Sequence, residues 1–318
     1  MIKTKKNITK GQDPWFSNIV NFAIVISMLF VLGSCASNEE PANDETATEQ
    51  AGEDEETSNQ PLNDEISKSG KVFYTIPSPV ELSSIIKKAG AQFDKTVLND
   101  PSKTAEYVTQ SSMALNLGIY GADLSYSSIF EQTQETMNYF AAAKKIADAL
   151  GITNAFAPST ITRVHDNLNN RDSLIAIISD SYWETDAYLK ENKRSSVSGL
   201  VITGGWIEAL YISTKLAEKS SENKEIVSRI GEQKLTLNNL IAMLNSFHDE
   251  ETAETLADLK SLQEVYNGVG ITYTRKPPTT DVKTKTTTLN TTSKIIITEE
   301  QLNQISEKVA TIRTKIVK

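Results

Sequence analysis

Apolar residues recur every three or four positions in one segment after another from Leu82 to Val265, and this spacing limits the possible fold more than any other feature. A period near 3.6 places the apolar side chains on one stripe of an α-helix. The first such helix opens at Ser78-Pro79-Val80-Glu81. Ser78 can cap, Pro79 suits a first helical position, and Glu81 completes a capping box. Leu82, Ile85, Ile86 and Ala89 form its apolar face, with Gly90 as the stop. The prolines at 77 and 79 push the residues before them out of helical geometry, so 74–78 is extended or turning. A second helix is expected over 103–117, followed by the glycine- and aromatic-rich stretch 118–126. That stretch is either a break or, preferably, a kinked continuation whose small residues allow close backbone approach. The pattern then repeats over 131–150 (Met137, Phe140, Ala141, Ala147, Leu150), 159–168 (Ile161, Val164, Leu168) and 172–190 (Leu174, Ile175, Ile178, Tyr182, Leu189). It continues over 196–219, the most apolar of all, 223–247 and 249–266. The connections are too short for a strand-rich module, so the expected fold is all-α, a helical bundle or stacked helical hairpins.

Beyond Gly270 the composition changes. Residues 271–274 and 294–297 read as short strands, separated by Pro277-Pro278 and a threonine-rich, lysine-dotted run expected to form an exposed loop. A capping box at Thr298-Glu299-Glu300-Gln301 then starts a last amphipathic helix carrying Leu302, Ile305, Val309, Ile312 and Ile316. Two heptads are short for a coiled coil, so the stripe is expected to dock on the bundle.

The N-terminal region follows different rules. Lys3, Lys5, Lys6 and Lys10 precede an almost unbroken apolar run over 19–33, which ends in Leu32-Gly33-Ser34-Cys35. A basic head, a short apolar middle and a small-residue junction make an export signal, and the run is shorter than the ~20 residues a spanning helix needs. Cys35 is the only cysteine, which excludes an intramolecular disulfide and a thiolate zinc site. Residues 36–70 carry eleven acidic side chains against Lys68 alone and almost nothing apolar, the composition of a disordered, charge-extended tether. The Leu32-Gly33-Ser34-Cys35 junction resembles the lipobox of bacterial lipoprotein precursors, and Ser37-Asn38-Glu39-Glu40 loosely resembles the acidic signal of surface lipoproteins of the Bacteroidota. The resemblance covers about the first fifth of the chain. It implies cleavage before Cys35, acylation of Cys35, a lipid-anchored protein of the outer membrane facing periplasm or cell surface, and a protein partner in the envelope. The resulting division is a signal peptide over 1–34, a lipidated cysteine and tether over 35–70, an all-helical domain over 71–270 and an extension over 271–318.

The formal net charge is −9, and the main domain has no basic stripe, which argues against nucleic-acid binding. Catalytic motifs are missing: there is no nucleophile elbow, phosphate loop or dinucleotide glycine set, and His165 and His248 fit no metal motif. Ser84-x-x-Lys87 imitates a penicillin-binding signature without its Lys-Thr-Gly partner. No cofactor or metal is called for.

The informative polar residues lie in apolar surroundings. Glu208 sits within 201–212, a helix apolar on nearly every side, and an unpaired carboxylate there would be costly. Arg163, Arg171 and Arg194 are its candidate partners. Gly204 and Gly205 weaken that helix unless something approaches closely. Asp180 and Glu184 stand one turn apart beside Tyr182 and Trp183, and Asp123 lies between Tyr120 and Tyr126. Tyr120, Asp123, Asp180, Tyr182, Trp183, Glu184, Trp206 and Glu208 thus form the candidate ligand or partner pocket. The functional expectation is a lipid-anchored helical binding or assembly module. The alternatives are a binder of a small organic or metal ligand in that aromatic and acidic pocket, or a carboxylate-dependent hydrolase.

Overall fold

A computed structural model of the chain describes residues 78–152, 156–219, 224–274, 277, 279–281, 286–288 and 292–318. The signal peptide, Cys35, the acidic tether and the stretch before Ser78 lie outside the described residues, as does part of the threonine-rich run. What is described is an all-α helical bundle with a small antiparallel sheet and a C-terminal helix.

The helices begin and end where local chemistry allows. The first, α1 (Pro79–Lys88), is capped by Ser78, whose hydroxyl accepts the Glu81 N–H at 3.2 Å. It stops before Gly90, which adopts φ +85°. Residues 103–109 are not the helix expected from periodicity. Asp94 and Asp100 cap two short 3-10 turns, Lys95–Val97 and Pro101–Ala105. Thr109 and Ser112 then form a reciprocal capping box that sets a fresh start for α2 (Gln110–Ile129). This helix runs unbroken through 118–126, so the glycines do not end it. A turn through Glu131 leads to α3 (Thr133–Ala149), which Gly151 at φ +71° terminates. Its inward face is made by Tyr139, Phe140, Ala143, Ile146 and Ala147, while Ala141, expected on that face, is exposed. Ala141 follows Phe140 by one residue, a rotation of about 100° out of the stripe.

There follow α4 (Pro158–Asp166), α5 (Arg171–Glu191), α6 (Ser195–Lys219), α7 (Lys224–Phe247) and α8 (Glu250–Tyr266). Strand β1 (Gly270–Thr274) pairs antiparallel with β4 (Thr292–Ile296), in a register that puts Thr272 opposite Lys294. Between them β2 (Thr279–Asp281) pairs with β3 (Thr286–Thr288), so part of the expected loop is a small hairpin. The capping box of Thr298 and Gln301 opens α9 (Glu299–Ile316). Its stripe docks on the bundle, with Ile305, Val309 and Ile312 buried. Among the described residues no helix is long and apolar enough to cross a membrane.

The centre of the bundle is the crossing of α2 and α6, each buried on nearly every side. Glycines make the crossing possible. A Cβ on Gly118 would fall 2.0 Å from the Val201 carbonyl oxygen, and one on Gly204 would fall 2.0 Å from that of Leu115. The entropic cost of Gly204 inside a helix, about 1 kcal/mol, is therefore met by backbone contact that no larger residue permits. The remaining helices wrap this pair, with α3 against α2, and α5, α7 and α9 against α6.

Candidate functional site

Glu208 lies on α6 with none of its surface exposed, where a lone carboxylate could not be held. Its partner is Arg313 of α9. Arg313 donates through Nε to Oε2 and through Nη2 to Oε1, both at 2.7 Å, so both carboxylate oxygens are used. The guanidinium also lies 4.4 Å from the centre of the Tyr211 ring and reaches the Val97 carbonyl at 3.4 Å. Burial works against the charged guanidinium, but the Glu208 carboxylate outweighs it and holds the Arg313 pKa above its ordinary value.

None of the three arginines named as candidates reaches Glu208. Arg163 pairs with Asp180 at 2.9 Å on the surface, and Arg171 pairs with Asp172 and Glu131. Arg194 donates to the Leu150 carbonyl and the Gln110 side chain. All three lie on connections or helix ends, whereas Arg313 stands one turn beyond Val309 on the docking face of α9. That position was readable from the stripe, since Arg313 falls four residues after Val309 and beside Ile312.

Asp123 on α2 is also fully buried and belongs to the same cluster. Its Oδ2 accepts the Asn99 N–H at 3.2 Å. Burial, and next the neighbouring Glu208 charge, push its pKa well above the ordinary carboxylate value. Its Oδ1 has no hydrogen-bond partner among the described residues. Tyrosines hold the adjoining loop over the cluster. Tyr120 donates to the Asp100 carbonyl at 2.7 Å, Tyr139 to the Asn99 carbonyl at 2.9 Å, and the Asn99 amide donates to Tyr107 at 3.2 Å.

The eight residues expected to line one pocket therefore separate. Tyr120, Asp123 and Glu208 meet in the core. Trp206 is buried among different neighbours and donates to Gln233 at 2.9 Å. Tyr182 lies against Gly121 and Gly205, with its hydroxyl buried and unpartnered among the described residues. Asp180, Trp183 and Glu184 occupy the outer face of α5, where Trp183 is 55 % exposed. Helical geometry explains the split, because residues one and two positions apart on α5 point to different sides.

Asp123 and Glu208 stand close together as two buried acids, but the geometry serves packing. Both oxygens of Glu208 are committed, and neither of the cavities described here is lined by the two acids. One is an apolar void of about 40 Å³ beside Tyr182, with room for about one water molecule. The other is an open groove of about 490 Å³ where the start of α3 and the start of α5 converge. Among the described residues no three His, Cys, Asp or Glu side chains stand together as a metal site.

No protein-family model, no curated protein and no solved structure matches the chain.

Proposed function

We propose that this protein is a lipid-anchored binding module of the bacterial envelope, tethered through Cys35 and presenting its helical bundle to a partner or ligand. The observation that carries the reading is the place of the only cysteine, between the apolar run of 19–33 and the acidic stretch of 36–70. Two or three acyl chains on one residue suffice for stable anchoring, since each buried methylene contributes about 0.8 kcal/mol. The interior supports binding over catalysis, because Glu208 is spent on holding α9 to α6 and Asp123 on holding the Asn99 backbone. The test is metabolic labelling of the full chain with a palmitate analogue, followed by membrane fractionation. The wild type should label and sediment with membranes, and Cys35→Ala should do neither. Equal labelling of the two proteins would refute the anchor.

A further inference from the structure

The open groove between the start of α3 and the start of α5 has a composition that calls for a ligand of defined chemistry. Its volume of about 490 Å³ is within the usual range for small-molecule sites, about 300–1,000 Å³. Ser128, at the end of α2, lines it; the residue is 1 % exposed and its hydroxyl has no partner among the described residues. A buried hydroxyl facing a cavity without a partner is an unmet hydrogen bond. The first turn of α3 gets no side-chain cap, so its N–H groups add donors at this wall.

The remaining lining is a balanced set of donors and acceptors. Asn169, Asn170 and Arg171 supply N–H groups, and Glu131 and Asp172 supply carboxylate oxygens. Arg171 lies 2.8 Å from Asp172 and 3.7 Å from Glu131, and Lys87 pairs with Glu131 at 3.0 Å, so these charges already answer one another. Two cations, Lys87 and Arg171, against the two carboxylates of Glu131 and Asp172 leave no positive excess for a phosphate or other anion, despite the helix starts. Only Leu168 and Leu174 are apolar in the lining, which offers little to an acyl chain. What such a surface does match is a row of hydroxyl groups, each of which can donate to a carboxylate and accept from an amide or guanidinium.

We infer that the groove holding Ser128, Asn169, Arg171 and Asp172 binds a neutral carbohydrate, a short run of sugar units whose vicinal hydroxyls span these donors and acceptors. This names the ligand class for the binding module proposed above and rests on that reading. The full chain, purified in a zwitterionic detergent free of sugar groups, is applied to an array of neutral oligosaccharides and titrated with those retained. Inorganic phosphate and an array of unmodified peptides serve as controls. The expected result is retention of at least one neutral oligosaccharide, with affinity reduced tenfold or more in Asn169→Ala and in Asp172→Ala. Both positions are exposed, so the variants should keep the wild-type circular dichroism. Failure to retain any sugar, binding that survives both changes, or preference for phosphate or peptide would each overturn the inference. Palmitate labelling of Cys35 is independent of the groove. A labelled protein without sugar binding thus removes only the ligand assignment, and sugar binding without labelling removes only the anchor.

Discussion

Replacing Glu208 by Gln tests the central physical claim, that a buried ion pair locks α9 to the core. The change keeps the shape and removes the charge. Arg313, only 12 % exposed, would then retain the Tyr211 ring at 4.4 Å and the Val97 carbonyl at 3.4 Å but lose its bidentate carboxylate, with the buried Asp123 as the remaining acid near it. Coulomb attraction between unit charges about 4 Å apart at an effective dielectric near 20 is about 4 kcal/mol. Removing one member of a buried pair costs about 3–5 kcal/mol, the same scale. For a domain of this size that lowers the melting temperature by roughly 6–20 °C. Urea unfolding of wild type, Glu208→Leu, Arg313→Met and the double variant Glu208→Leu/Arg313→Met gives the cycle, with Glu208→Gln measured beside it. The double variant should recover most of the single-site loss, because it leaves no charge stranded. Protease cutting within α9 should rise in both single variants. A loss under about 1 kcal/mol in Glu208→Gln, the value of an exposed pair, would refute the reasoning.

Three further outcomes follow from the same core. Gly204→Ala puts a Cβ 2.0 Å from the Leu115 carbonyl oxygen, and overpacking of about 1–3 kcal/mol or more should exceed the roughly 1 kcal/mol gain in helix propensity; a thermal melt showing stabilisation would contradict the close α2–α6 crossing. Burial and the Glu208 charge raise the Asp123 pKa in the folded chain above the value near 4 of an unfolded aspartate, so above that pH the folded state binds more protons and stability falls as pH rises. The slope is at most about 1.4 kcal/mol per pH unit, and Asp123→Asn should flatten it; urea midpoints at pH 4 and pH 8 that change equally in both proteins would show that Asp123 is ionised. Trp206→Phe deletes the indole N–H that serves buried Gln233, and should cost about 1–3 kcal/mol through the orphaned carbonyl; an unchanged unfolding free energy would show that another donor takes its place.

The helices were legible in the sequence because what makes a helix is local. Apolar residues three and four apart decide the buried stripe, and Ser78, Thr298, Gly90 and Gly151 mark where stripes begin or stop. Local signals also misled where two competed. The stripe suggested a helix from Lys103, but the Thr109–Ser112 box starts α2 later, and Asp100-Pro101 holds the preceding residues in a 3-10 turn. The glycines at 118 and 121 could signal a break or a contact, and only the presence of α6 against Gly118 and of Tyr182 on α5 against Gly121 decides for the contact.

The charged core was legible only in part. That Glu208 needs a partner follows from the apolar residues around it, and desolvation demands one whatever the fold. Which residue answers does not follow, since Arg313 lies 105 residues away and reaches Glu208 only after α9 has docked. For the same reason Asp123 joins Glu208 while Asp180 and Glu184, equally suggestive in sequence, remain in solvent. The groove carried no sequence signal, because Ser128, Asn169 and Asp172 are ordinary residues of helix ends and turns. Periodicity and capping act over one or two turns and so are written in the order of residues. The meeting of two carboxylates with a distant guanidinium depends on how whole helices cross, and that is decided by the packing of α2, α6 and α9 together.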